Sequence, residues 1–129
     1  MITYDDFAKV EIKAGKILSA EKIPDTDKLL KLSVDFGEMK ELVDEAGNKS
    51  SISAPRQIVS GISMYFPEPS TLVGKTCMFV TNLEPRMIKG YESNGMLFAL
   101  STPTTPENPS GNFSLLEPNS TIPVGTKAK

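Results

Sequence analysis

The side chains able to do chemistry in this chain are lysines, arginines and carboxylates. Fourteen Lys and Arg stand against sixteen Asp and Glu, with one cysteine, Cys77, and no histidine. Without histidine there is no imidazole base, no Ser-His-Asp arrangement and no His-containing metal site. A single cysteine removes disulfide frameworks and Cys-x-x-Cys sites, and it fits a reducing compartment. Lys9, Lys13, Lys16, Lys22, Lys28 and Lys31 crowd the first quarter of the chain, and Arg56, Arg86 and Lys89 stand near later turns. Basic residues gathered on one face neutralise phosphates, and local charge rather than net charge sets that affinity. The net charge of −2 describes, on the other side, a solvated mixed-charge surface. Gly74-Lys75-Thr76 ends like a phosphate loop, but Pro69 stands where that loop needs its first glycine. Asp25 and Asp27 supply two carboxylates, too few for a calcium site. The residues therefore point to a binding module, or to an enzyme running on carboxylates and lysines alone, with no cofactor and no metal.

The elements that must position these residues read mostly as strands. Thr3 with Asp6 three residues later has the spacing of a capping box, so a short helix starts there. From Lys9 to Glu21 apolar residues alternate with polar ones, with one interruption at Gly15-Lys16-Ile17. That interruption predicts a bulge or bend in a long strand. Leu30, Leu32, Val34 and Phe36 give a second strand, ended by Gly37. Gln57–Ile62, Cys77–Asn82 and Gly95–Leu100 read as the third, fourth and fifth, and Ser70–Val73 as one helical turn between the third and fourth. Glu84–Gly90 reads as a loop. Glu38–Pro55 carries four acids and two lysines, so the rest of the chain balances at twelve of each. This acidic insertion reads as a mobile hairpin loop rather than a short helix over Met39–Ala46. Five strands and one helical turn predict an all-β, five-stranded Greek-key OB barrel in a single domain, 1–129. A C-terminal extension, 101–129, follows it and holds half of the ten prolines.

Several stretches, in order, resemble one family. They include Asp6-Phe7-x-Lys9-Val10, Asp27-Lys28-Leu29-Leu30-Lys31-Leu32, Arg56-Gln57-Ile58-Val59-Ser60-Gly61-Ile62, Asn82-Leu83-x-Pro85-Arg86, Glu92-Ser93-x-Gly95-Met96-Leu97 and Pro123-x-Gly125-Thr126-Lys127. The chain resembles the tRNA-binding OB domain appended to methionyl-tRNA synthetases, also found as free-standing dimeric tRNA-binding proteins and chaperone-like relatives. Glu38–Pro55 and Thr102–Gly111 lie outside the resemblance. It implies a non-catalytic domain that binds tRNA by shape and delivers it to or retains it for a synthetase, the methionyl enzyme. It implies RNA contacts at Lys28, Lys31, Arg56, Ser60, Asn82, Arg86, Lys89, Ser93 and Met96. Lysines and arginines would meet phosphates, Ser and Asn the riboses, and Met96 a base face. Met87 departs from the pattern, standing where a basic residue is expected, and the acidic insertion adjoins the expected binding face.

The expected partners are tRNA, a second copy of the chain and a synthetase catalytic subunit, free-standing or joined to it. Leu115, Leu116, Ile122 and Val124, in a Pro-rich tail after the last strand, are the expected dimer contacts. Two other readings stay open: a chaperone-like homodimer binding export-competent polypeptide, and a protein-interaction module without RNA binding. No apolar run approaches a membrane span and the N-terminus lacks a signal core, so the expected location is cytoplasmic.

Overall fold

The computed structural model describes residues 1–129. Helix α1 (Tyr4–Ala8) opens on the expected capping box: the Asp6 amide donates to Thr3 Oγ1 and the Thr3 amide to Asp6 Oδ2. Strand β1 (Ile12–Lys22) is the axle of the fold. It pairs with β6 (Thr76–Val80) over Ile12–Lys16 and with β2 (Leu30–Asp35) over Lys16–Lys22, both antiparallel. A register shift between Ile17 and Ser19 marks the exchange of partners. The interruption of the alternation at Gly15–Ile17 thus records a strand that bends from one half of the barrel to the other.

Gly15 is required at that bend by packing. A Cβ there would lie 2.5 Å from Phe36 Cε1 and 2.6 Å from Val34 Cγ1. Gly15→Ala should lower unfolding free energy by about 1–3 kcal/mol, the overpacking range, because the buried Phe36 ring and Val34 must both shift to admit the methyl. Chemical denaturation checks it: the midpoint falls while the slope is unchanged.

The main sheet runs β5-β2-β1-β6-β9, with β5 (Arg56–Ser60) and β9 (Met96–Leu97) at its ends, and curls into an OB-like barrel. Ile17, Leu30, Leu32, Val34, Ile58, Leu72 and Phe79 are fully buried inside it. Phe36 meets Phe79 edge to face at 5.4 Å, the arrangement that ring quadrupoles favour. The helical turn is found at Pro69–Leu72, and it drives Leu72 into the core.

The Glu38–Pro55 hairpin has regular strands as its arms, β3 (Met39–Val43) and β4 (Lys49–Ser53), paired from Met39–Ser53 to Val43–Lys49; two other expectations are corrected. Every residue of both strands is exposed, so no face is buried and no alternation marks them in the sequence. The Asp44 carboxylate fixes its tip by accepting from the amides of Ala46 and Asn48. Glu84–Gly90 holds a strand, β7 (Arg86–Ile88), paired with β8 (Tyr91–Ser93) across a two-residue turn. Lys89 at φ 50° and Gly90 at φ 86° give that turn the left-handed pair of a type I′ connection. The expected fifth strand divides: β9 stays on β6, while β10 (Ala99–Ser101) leaves to pair with β11 (Phe113–Leu115).

The tail finds much of its packing within the chain. Leu115 packs against the core, and Phe113 stacks on Tyr65 at 4.5 Å. The Leu116 carbonyl accepts from the Met78 amide. Residues 125–128 run along the first half of β1: Gly125 donates to the Ala14 carbonyl, and Ala128 to that of Ile12. Leu116 and Val124 are half-buried, and Ile122 remains exposed. The barrel therefore offers these residues more cover than the sequence suggested, because its open edge and end need closing.

Candidate nucleic-acid interface

The basic residues are placed by two turns and a strand pair. Lys28 follows the Pro24–Asp27 turn, whose Asp25 has φ 63°. Lys89 projects from the β7–β8 turn, and both lysines line one groove with Leu29 and Ile88. Lys31, on β2, sets its ammonium 5.2 Å over the Tyr91 ring and 3.5 Å from Glu21 Oε2. Arg86 pairs across the hairpin with Ser93. Arg86, Ser93 and Met96 border a small recess of about 90 Å³ whose apolar walls include Val59 and Ile88. None of Lys28, Arg86 or Lys89 has a carboxylate within ion-pair distance, so their charges are open to an incoming anion. Ser60 closes β5 opposite Leu30, at the Lys28 end of that strand. Lys28, Lys31, Ser60, Arg86, Lys89, Ser93 and Met96 are thus carried by elements packed around β5.

Three of the nine expected contacts are tied up in the protein itself. The Ser93 side chain is buried; its Oγ accepts from the Val59 amide at 3.0 Å and donates to the Gly95 carbonyl at 3.2 Å. Asn82 bridges chain segments, accepting from the Glu11 amide at 2.9 Å and donating to the Lys9 carbonyl at 2.6 Å. Arg56 lies at the far end of β5, about 13 Å from Ser60 at the usual strand rise. Its Nε and one terminal nitrogen both donate to the Glu38 carboxylate at 2.7 Å, and the other terminal nitrogen donates to the Thr81 carbonyl at 2.6 Å. That fork holds the Glu38 carboxyl below its ordinary value, working against partial burial. The Glu11 carboxyl is held low as well, chiefly by the Thr81 hydroxyl and then by Lys13. Arg56 is thus a strut at the root of the β3–β4 hairpin.

Sequence reading passed over Tyr91, because its place beside Lys31 is made by a hairpin that reads as a loop. Burial pushes the Cys77 thiol up to about 11, which leaves it a protonated core side chain at neutral pH. No group of three or more Cys, Asp or Glu side chains converges as a metal site, and no helix is long and apolar enough to cross a membrane. What the arrangement offers is a row of unpaired cations beside apolar recesses, suited to a polyanion that also presents flat apolar groups.

Comparison with known proteins gives this arrangement a setting. Residues 12–127 match the family model described as "Putative tRNA binding domain". The chain is 45% identical over 128 residues to a methionine–tRNA ligase of Methanospirillum hungatei, covering 99% of this chain and 16% of that one. It thus spans about one sixth of such curated relatives. Among solved structures, a MetRS-related protein from Pyrococcus horikoshii superposes with a TM-score of 0.75 at 35% identity, covering 100% of this chain and 98% of that one. The CsaA chaperone protein from Picrophilus torridus superposes with a TM-score of 0.73 at 25% identity, covering 100% of both.

Proposed function

The chain belongs to the tRNA-binding domain family, and from that premise we propose that it binds tRNA through backbone charge and shape, without catalysis, and retains it for an aminoacyl-tRNA synthetase, the methionyl enzyme. The observation that carries this reading is the convergence of Lys28, Arg86 and Lys89, none of them ion-paired, around one end of β5. Lys31 and Met96 flank them. Arg56, Asn82 and Ser93 support the face from behind, since their polar atoms are engaged within the chain. The curated ligases are the source of the synthetase partner in this proposal. A gel shift with total tRNA at two salt concentrations tests it. Binding should weaken steeply with salt, as displaced counterions require. A shift with unfolded polypeptide and none with tRNA would reverse the reading toward a chaperone.

We also propose that two copies associate. Phe98, Leu100 and Ile122 remain exposed in the chain that leaves the barrel after β9. Exposed apolar side chains of that kind are suited to burial in a contact between two copies. Sedimentation at micromolar concentration should give twice the mass of the 14.0 kDa chain. Leu100→Glu should return the mass to that of one chain; a single-chain mass before substitution would end the proposal.

A further inference from the structure

The β3–β4 hairpin is a sheet of its own, and every residue of both strands is exposed. A lone two-stranded ribbon is marginally stable in water, and its unpaired edges are templates for another strand. The bonds at its two ends set which backbone groups face outward. The Asp44 amide donates to the Asn48 carbonyl and the Ala54 amide to the Glu38 carbonyl, so by alternation Leu42–Ser50 and Lys40–Ile52 are the bonded pairs between them. Lys49, Ser51 and Ser53 therefore turn their N–H and C=O groups out along β4, as Met39, Glu41 and Val43 do along β3. Leu42 and Ile52 share one face of the ribbon as diagonal neighbours, both exposed.

We propose that the free edge of β4 pairs antiparallel with the same edge of a second copy, about a two-fold axis at Ser51, so that two ribbons become one continuous sheet. The sequence of β4 is compatible with itself in that register. Ser51 faces the partner's Ser51, Lys49 faces the partner's Ser53, and Ser50 faces the partner's Ile52, so no like charges meet. The outward groups of Lys49, Ser51 and Ser53 find donors and acceptors in their counterparts. On the other face Ile52 lies diagonal to the partner's Ile52, and the Leu42 and Ile52 side chains of the two copies join in one apolar strip. Pairing through β3 in full overlap would set Glu41 against the partner's Glu41, two carboxylates directly opposed. That difference selects β4. Pro55, which has no N–H, ends the pairing short of the barrel, and the antiparallel direction puts the two barrels at opposite ends of the sheet. The contact is separate from the one at Phe98, Leu100 and Ile122, and it does not rest on tRNA binding. It is small, so its Kd should be on the order of 1 mM.

A contact this weak is read by trapping it covalently, in the Leu100→Glu protein so that the other contact does not supply the proximity. There Ser51→Cys should form a disulfide with its own copy, because a bonded antiparallel pair holds its Cα atoms about 5.5 Å apart, within reach of the bond. Cys77 is buried and protonated and stays silent. Under mild oxidation at submillimolar protein, Ser51→Cys should cross-link roughly tenfold faster than the likewise exposed Glu41→Cys. Adding Ser53→Pro should return Ser51→Cys to the slower rate, since it removes an outward N–H and no bond inside the ribbon. The Ala54 amide should keep its protection from exchange in that variant, showing the hairpin intact. Ile52→Asp is the second blocking variant. It keeps every backbone donor and suits Lys40 across its own ribbon, but it sets carboxylates of the two copies side by side at the seam. Equal rates for Ser51→Cys and Glu41→Cys, or a rate unmoved by both blocking variants, would mean chance collision and overturn the proposal. Faster cross-linking of Glu41→Cys would move the pairing to β3 and overturn it as well. Capture of Ser51→Cys by an extended peptide with one cysteine, as fast as by a second copy, would assign the edge to strand addition of any kind and overturn the choice of partner. None of these outcomes bears on tRNA binding, which the gel shift reads separately.

Discussion

Combining Lys28→Ala, Arg86→Ala and Lys89→Asn should weaken tRNA binding about 100-fold near 0.1 M salt and flatten its salt dependence. Three unpaired cations are removed from one face. Each phosphate contact contributes about 0.7–0.9 to the slope of log affinity against log salt, so the slope should fall by roughly 2–3. The affinity change follows from about 1 kcal/mol per charged hydrogen bond, a low value chosen because these side chains are exposed and screened. Asparagine is the right replacement at position 89, since it tolerates the left-handed backbone that Lys89 adopts and so keeps the turn. All three residues lie outside the core, and thermal unfolding of the triple variant should match that of the parent. Lys9→Ala with Lys40→Ala removes two exposed charges from other parts of the molecule and should change the slope little. A triple variant with unchanged slope would mean that RNA is held elsewhere.

The barrel was legible in the sequence where one face of a strand is buried. Leu30, Leu32, Val34 and Phe36 alternate cleanly because β2 sits mid-sheet with the core on one side. The bend in β1 was legible because Gly15 interrupts an alternation that the core otherwise imposes. The β3–β4 insertion was legible as a hairpin loop but its strands were not, since neither of its faces touches the core and period two carries no signal without burial. The β7–β8 hairpin was missed for another reason. Its strands have three residues each, and its turn is written Lys-Gly rather than Asn-Gly. Lysines are easy to find in a sequence, but their pairing depends on register. Lys31 reaches Glu21 because those residues face each other across β1 and β2, whereas Lys28 precedes the strand and stays unpaired. Family resemblance marks positions that matter without saying how. At Asn82 and Ser93 the side chains make connections inside the chain, which a pattern of residues cannot distinguish from contact with RNA.

Arg56 separates those two roles by experiment. Arg56→Ala should destabilise the domain by about 2 kcal/mol, because it strands the Glu38 carboxylate and leaves the Thr81 carbonyl without its donor. The figure lies below the 3–5 kcal/mol of a fully buried pair, since the Glu38 side chain keeps 35% of its surface exposed. Arg56→Lys should rescue little, as a single ammonium cannot fork onto a carboxylate and a carbonyl together. The Glu38→Ala, Arg56→Ala double variant should recover part of the loss, and the cycle of four proteins isolates the coupling. Acid should act on the same contact. The Glu38 carboxyl is held below its ordinary 4.5, so its contribution is fully present above that pH and fades as pH falls through the lower folded value. The protection factor of the Ala54 amide, bonded to the Glu38 carbonyl at the hairpin root, should then fall below pH 4.5 and not in the double variant. Binding decides the rest. If Arg56 is a strut, the double variant binds tRNA as the parent does. If the guanidinium is instead a phosphate ligand restrained by its acid partner, Glu38→Ala alone should tighten tRNA binding, and the double variant should lose both that gain and one phosphate's share of the salt slope.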